Sequence, residues 1–216
     1  MIYLLSDLHG GESMAGINEY LNVSQDGDLL IILGDIGLAF ENTQENQRFT
    51  EFFLSIKKNI AFIDGNHENF QYINGFPEDD WNGGKVHRLT EHIVHMQRGN
   101  VFTIAGKTFF AFGGCKSSPK WKEQGLWYSG EEASEQEMAL AYENLKKNKY
   151  QVDYILTHKY EEKPFRGTPS QSLAELTEFI EKNVQYKKWY AGHWHTTAKV
   201  DEKHMLIYDS LISLSE

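Results

Sequence analysis

The chain has 216 residues, with 21 basic and 31 acidic side chains and a formal charge of −10. That sign argues against a general phosphate-backbone binder or an anionic-membrane protein, while 40% apolar and 24% charged residues describe an ordinary folded chain. A lone cysteine, Cys115, excludes an internal disulfide and suits a reducing, cytoplasmic compartment; the longest aliphatic run, Leu29–Leu33, is too short to span a membrane.

In chain order, Ile2–Leu5 is an apolar run ending in Asp7 and His9, read as a first strand rather than a signal peptide because it has no basic flank. Met14, Ile17 and Leu21 follow at helical spacing. Leu29–Leu33 runs into Gly34 and Asp35. Phe49, Phe52, Phe53 and Ile56 predict a second helix, and Ile60–Ile63 then runs into Asp64, Gly65, Asn66 and His67. Val101–Ile104 and Thr108–Phe112 flank Ala105-Gly106-Lys107 as a hairpin. Met138, Ala141, Tyr142 and Leu145 predict a third helix, with Ser134 and Glu137 as a capping box. Tyr154–Leu156 runs into His158. Leu173, Leu176, Thr177 and Ile180 predict a fourth helix, capped by Ser172 and Glu175. Trp189–Ala191 runs into Gly192, His193 and His195, and Met205–Tyr208 reads as a late strand.

Short apolar runs without alternation predict strands buried on both faces. The expected fold class is α/β, with α+β mixed layers: two sheets with outer helices, forming one domain over residues 1–216. Ligands of such folds bind beyond the carboxyl ends of the strands. That edge collects Asp7, His9, Asp35, Asn66, His158, His193 and His195. Mixed oxygen and nitrogen donors of this kind suit borderline divalent metals. Seven exceed the needs of one ordinary ion and suit two if a carboxylate bridges. Paired ions are the usual arrangement for hydrolysing phosphate esters.

The motifs S-D-L-H-G (Ser6–Gly10), G-D (Gly34–Asp35), G-N-H-E (Gly65–Glu68), T-H (Thr157–His158) and G-H-W-H (Gly192–His195) resemble the calcineurin-like metallophosphoesterase family in order and rough spacing. The resemblance implies a four-layer β-sandwich flanked by helices on both sides, with two divalent ions at one end. It implies that Asp7, His9 and His195 hold one ion, that Asn66, His158 and His193 hold the other, and that Asp35 bridges them. His67 would face the phosphate and stabilise it or protonate the leaving group. The implied reaction is hydrolysis of a phosphomonoester or phosphodiester by metal-activated water. Mn²⁺ is the first expectation for the ions, with Fe or Zn²⁺ behind it, and a small phosphorylated molecule or nucleotide is the expected substrate. The alternative is a binding or scaffolding module that keeps the fold without its chemistry.

Other residues carry weaker expectations. Asp64, Glu68 and Asp209 are candidates to orient ligands from behind. Trp194 and Cys115 are read as packing residues, and His87, His92, His95 and His204 as structural or surface histidines. The loops at 113–130 and 159–169 are expected to shape the pocket, with Lys116, Lys120 or Arg166 as candidate phosphate contacts. Family members acting on phosphoproteins read G-D-x-x-D-R-G, whereas this chain reads GDIGLAF over Gly34–Phe40. The missing Asp and Arg disfavour a dedicated protein phosphatase.

Overall fold

A computed structural model describes residues 1–161 and 168–214. The expected strands all form: β1 (Ile2–Leu5), β2 (Leu29–Leu33), β3 (Asn59–Ile63), β7 (Asn100–Ile104), β8 (Lys107–Phe112), β9 (Tyr154–Thr157), β10 (Lys188–Ala191) and β12 (His204–Leu206). Five more complete the sheets: β4 (Glu78–Trp81), β5 (Gly84–Arg88), β6 (Ile93–Met96), β11 (Ala198–Lys199) and β13 (Ile212–Ser213). One sheet has seven strands in the order β13-β1-β2-β3-β6-β5-β4; the other has six in the order β11-β12-β10-β9-β8-β7.

Alternation along each strand builds four layers, because successive side chains face opposite ways. Leu4, Ile31, Ala61 and Ile63 meet Phe102, Phe109, Leu156 and Tyr190 between the sheets. The outward residues Leu5, Leu30, Ile32 and Phe62 of the first sheet pack on Ile17, Tyr20, Phe49 and Phe53. These come from helices α1 (Ala15–Val23) and α2 (Gln44–Ser55). Phe110, Phe112, Ile155 and Trp189 of the second sheet pack on α5 (Glu135–Lys147) and α6 (Gln171–Asn183), through Ala141, Leu145, Leu173, Leu176 and Ile180. Both faces of both sheets are thus covered, which is why the strand runs are continuously apolar. The short helices α3 (Phe70–Ile73) and α4 (Pro119–Glu123) lie in connections.

Three local expectations need correction. The capping box at Ser134 and Glu137 forms, but that at Ser172 and Glu175 does not. Helix α6 begins earlier, with Ser170 at its N-cap, where the Ser170 N–H donates to Glu161 Oε1 at 3.0 Å. The hairpin turn is Ala105-Gly106, with φ of 49° and 75°, so Lys107 belongs to β8; paired positive φ values match the right-handed twist of the flanking strands. The late strand stops at Leu206, two residues before Tyr208. Tyr208 stacks instead on His195, with ring centroids 4.8 Å apart.

Candidate metal centre

Five strands deliver the predicted donors to one edge. β1 is followed by Asp7 and His9, β2 by Asp35, β3 by Asn66 and His67, β9 by His158, and β10 by His193 and His195. Parallel pairing of β1 with β2, β2 with β3, and β9 with β10 puts their carboxyl ends side by side. The chain turns sharply there. Asp7, His9, Asp35, His193 and His195 all have φ between 45° and 70°, a region non-glycine residues seldom adopt and that is concentrated at functional sites.

Hydrogen bonds hold this backbone. Asp7 N–H donates to Gly34 O at 3.0 Å, His9 N–H to Asp35 O at 2.9 Å, and Gly192 N–H to His158 O at 2.8 Å. His193 N–H donates to Asp7 Oδ2 at 3.0 Å and His67 N–H to Asp35 Oδ1 at 2.7 Å, so two carboxylates are fixed by the loops that carry other donors. A Cβ on Gly65 would overlap the Asp35 carboxylate, and one on Gly192 would overlap Ser6 Oγ.

The donors form two overlapping clusters. In the first, His9 Nε2 and His195 Nε2 lie 2.9 Å apart, at 3.7 and 3.5 Å from Asp7 Oδ1. In the second, His158 Nε2 lies 3.2 Å from Asn66 Oδ1 and 3.3 Å from Asp35 Oδ2. Asp35 Oδ2 is also 3.6 Å from His9 Nε2, between the clusters. His193 approaches the second from β10, its ring 5.2 Å from that of His158. Asp7, His9 and His195, and likewise Asp7, Asp35 and His158, and Cys115, His158 and His193, place donor atoms within 4.8 Å of one another.

Outer contacts aim these groups. His158 Nδ1 lies 2.7 Å from Leu33 O; as the donor there, it leaves the Nε2 lone pair facing the cluster. Asn66 Nδ2 donates to Ser117 Oγ at 3.0 Å, which turns Oδ1 inward. Glu68 is fully buried and accepts from the N–H groups of Ile36, Gly37 and Gly65, tying the Asp35 loop to the Asn66 loop. Asp64 pairs with Arg98 (Nε to Oδ2, 2.8 Å) and His95 (3.1 Å), and its carbonyl accepts from Gly114 N–H. Its role is to hold the loop after β8. Asp209 does not support the donors: its Oδ1 accepts from Gly16 N–H at the start of α1.

The electrostatics fit cations. Burial opposes ionisation of Asp7, yet the His195 and His9 rings outweigh it and lower the carboxyl to about 2. Those contacts exceed hydrogen-bond length, and buried Asp7 Oδ1 has no hydrogen-bond partner. Asp35, also buried, is held well below the usual carboxylate range by His158, His67 and His9. Imidazole nitrogens 2.9 Å apart beside an orphaned carboxylate oxygen form a donor set for divalent ions.

His67 stands beside the clusters. Its ring lies 5.1 Å from that of His9, 5.3 Å from Phe40 and 4.8 Å, edge-on, from Trp121, and burial lowers its pKa. Phe40, which ends the GDIGLAF stretch, thus forms a wall of the site. Together they border a cavity of about 600 Å³, also lined by Asp35, Asn66, Lys116 and Lys120. Lys116 Nζ is 3.4 Å from a Glu132 carboxylate, and Lys120 Nζ lies 4.8 Å from the Trp121 ring; Arg166 lies outside the described residues. Trp194 packs against His193 and Lys159 Nζ.

The other histidines have structural partners. His87 and His95 stack in the Asp64 network, while His204 bonds Asp201, Glu181 and Tyr186. His92 lies in the turn closed by Thr90, whose Oγ1 accepts its N–H. Sequence reasoning missed Ser117, Trp121, Phe40, Tyr208 and Arg98, because each acts through a contact made only on folding. Cys115, a packing residue on sequence grounds, also has its sulfur 3.0 Å from Asn66 Oδ1.

The clusters constitute a two-metal active site of the kind that supports metal-dependent hydrolysis of phosphate esters. No curated protein gives a significant match to the chain. Residues 1–197 match the family described as calcineurin-like phosphoesterase, and the chain belongs to that family.

Proposed function

We propose that the chain acts as one catalytic domain hydrolysing a small phosphomonoester, phosphodiester or nucleotide. The observation that carries this reading is the position of Asp35 Oδ2 between His9 and His158, 3.6 and 3.3 Å away. In this reading Asp7, His9 and His195 hold one ion; Asn66, His158 and His193 hold the other; Asp35 serves both. Nitrogen and oxygen donors of this kind favour Mn²⁺, Fe or Zn²⁺ over Ca²⁺ and do not by themselves rank the three.

When bound, the ions supply positive charge for the phosphoryl oxygens and make water a nucleophile near neutral pH. The chain's own residues do the rest. The backbone N–H groups of His67 and His193 fix the carboxylates of Asp35 and Asp7, so the donors need no rearrangement during reaction. The His67 ring, standing between Trp121 and His9, holds a nitrogen beside the scissile phosphate. In its protonated form it passes a proton to the departing oxygen; in its neutral form its N–H donates to a phosphoryl oxygen. Phe40 and Trp121 restrict its rotation and shield it from water.

Among the described residues no helix is long and apolar enough to cross a membrane. With one buried cysteine and a charge of −10, a cytoplasmic enzyme of small substrates is favoured over one that tracks long nucleic acid. An intact donor set leaves a scaffolding role without an observation in its favour. The test is a panel of phosphomonoesters, phosphodiesters and nucleotides with Mn²⁺- or Zn²⁺-loaded protein. Turnover that disappears in a folded Asp35→Asn variant is expected. Inactivity of fully loaded wild-type protein across the panel would overturn the reading.

A further inference from the structure

Cys115 is the chain's single cysteine and lies just beyond β8, 1% exposed. Its Sγ is 3.0 Å from Asn66 Oδ1 and 3.6 Å from His193 Nδ1. Around one cation, with metal–nitrogen or metal–oxygen bonds of roughly 2.1 Å and metal–sulfur bonds of roughly 2.3 Å, neighbouring donors stand roughly 3.0–3.6 Å apart. Both sulfur separations fit that spacing, and so does the 3.2 Å between His158 Nε2 and Asn66 Oδ1. Sulfur, His158 and His193 therefore face a common point, reached from the ends of β8, β9 and β10.

The loop that carries the thiol is firmly held. Gly114 N–H donates to Asp64 O at 2.8 Å, and Arg98, paired with Asp64, also donates to Gly130 O at 2.8 Å. Asp7 Oδ1, buried without a hydrogen-bond partner, belongs with His9 and His195 to the adjacent cluster, while the thiol groups with His158 and His193.

We infer that Cys115 Sγ is a further ligand of the ion held by Asn66, His158 and His193, and that this position selects a thiophilic metal, Zn²⁺ or Fe²⁺, over Mn²⁺. The inference rests on the two-ion reading above. An ordinary thiol, with a pKa of about 8.5, carries its proton near neutral pH. On binding, the S–H bond breaks heterolytically: the sulfur gives its electron pair to the cation and the proton leaves to solvent. A soft sulfur donor gains much with Zn²⁺ or Fe²⁺ and little with Mn²⁺.

Co²⁺ titration of the metal-free full chain in thiol-free buffer tests this, with absorption spectra recorded and bound cobalt counted by elemental analysis. Because the chain has one cysteine, a sulfur-to-cobalt charge-transfer band in the near ultraviolet reports Cys115 alone. The band should grow as one of two equivalents binds. It should vanish in Cys115→Ser that still takes up two, and the Zn²⁺-over-Mn²⁺ preference of that variant should fall about tenfold or more. Two equivalents without the band would overturn the sulfur ligand and leave the two-ion reading standing. The band with a single equivalent would support the sulfur ligand and count against two ions, and no bound cobalt would overturn both. Should Cys115→Ser fail to fold, the wild-type band still decides.

Discussion

His9 and His195 are separated by 186 positions in the chain, yet their Nε2 atoms lie 2.9 Å apart beside the buried Asp7 carboxylate. Two imidazole nitrogens at that distance can share a proton or a cation, and the surrounding carboxylates favour the positive charge of either. The pair is assembled by β1 from the first sheet and β10 from the second, so this half of the site spans the sandwich.

Removing one member of the pair should cost one ion. His195→Ala is expected to retain a single equivalent of metal after gel filtration, measured by elemental analysis. Outer contacts to a metal ligand commonly account for about 10–100-fold in activity, so loss of the ligand itself should lower kcat/KM by at least ~100-fold. Full occupancy and near-normal turnover would remove His195 from the ligand set.

His67 should separate chemistry from metal binding. His67→Ala is expected to keep both ions and lose about 10²–10⁴-fold in kcat, the range for a positioned proton donor or phosphoryl stabiliser. Substrates with good leaving groups should lose less if proton donation dominates. A variant that loses metal instead would make His67 a ligand.

Glu68 should act through the loops. Its buried carboxyl is pushed up to about 8 by burial and the charge of Asp35, against the N–H groups of Ile36 and Gly37 that favour ionisation. Near neutral pH it is therefore largely protonated, and Glu68→Gln is close to isosteric and isoelectronic with it. Glu68→Ala leaves buried N–H groups unsatisfied and should cost about 2–4 kcal/mol in denaturant unfolding, with weaker metal retention. Glutamine should lose less than half of that.

The His87–His95 stack gives a pH dependence away from the metal centre. Burial and then the His95 charge lower His87 from 6.5 to about 4. Between those values the unfolded chain binds the proton and the folded chain does not, so stability rises with pH. The contribution is complete above pH 6.5 and lost as pH falls toward 4. Allowing for partial solvation, it is on the order of 1–2 kcal/mol. His87→Gln should flatten this part of the profile in urea unfolding measured across that range.

The strand runs and their polar ends were legible in the chain because each is local. Leu29–Leu33 is buried at every position, and Asp35 follows it whatever the fold. The same logic made Ser134 and Glu137 readable as a cap. It failed at Ser172, because the start of α6 depends on Glu161 reaching Ser170, a contact across a loop. The strand β4 was invisible because Glu-Asp-Asp-Trp is an edge strand whose acidic side chains alternate between exposed and half-buried, with no apolar run to mark it.

Local sequence therefore sufficed to put these polar side chains at strand ends, since their chemistry and their places are written residue by residue. Only the packing of the two sheets decided which donors meet. Distances such as 3.3 Å from His158 to Asp35 depend on strand register and on five left-handed backbone turns, which no spacing in one dimension records. The same packing turned Cys115 from a small apolar residue into a sulfur facing His158 and His193. It made Phe40 and Trp121 the walls of His67. Neighbours then decided the charges: burial raises both carboxyls, but the His195 and His9 rings bring Asp7 down to about 2, while burial and the charge of Asp35 hold Glu68 at about 8.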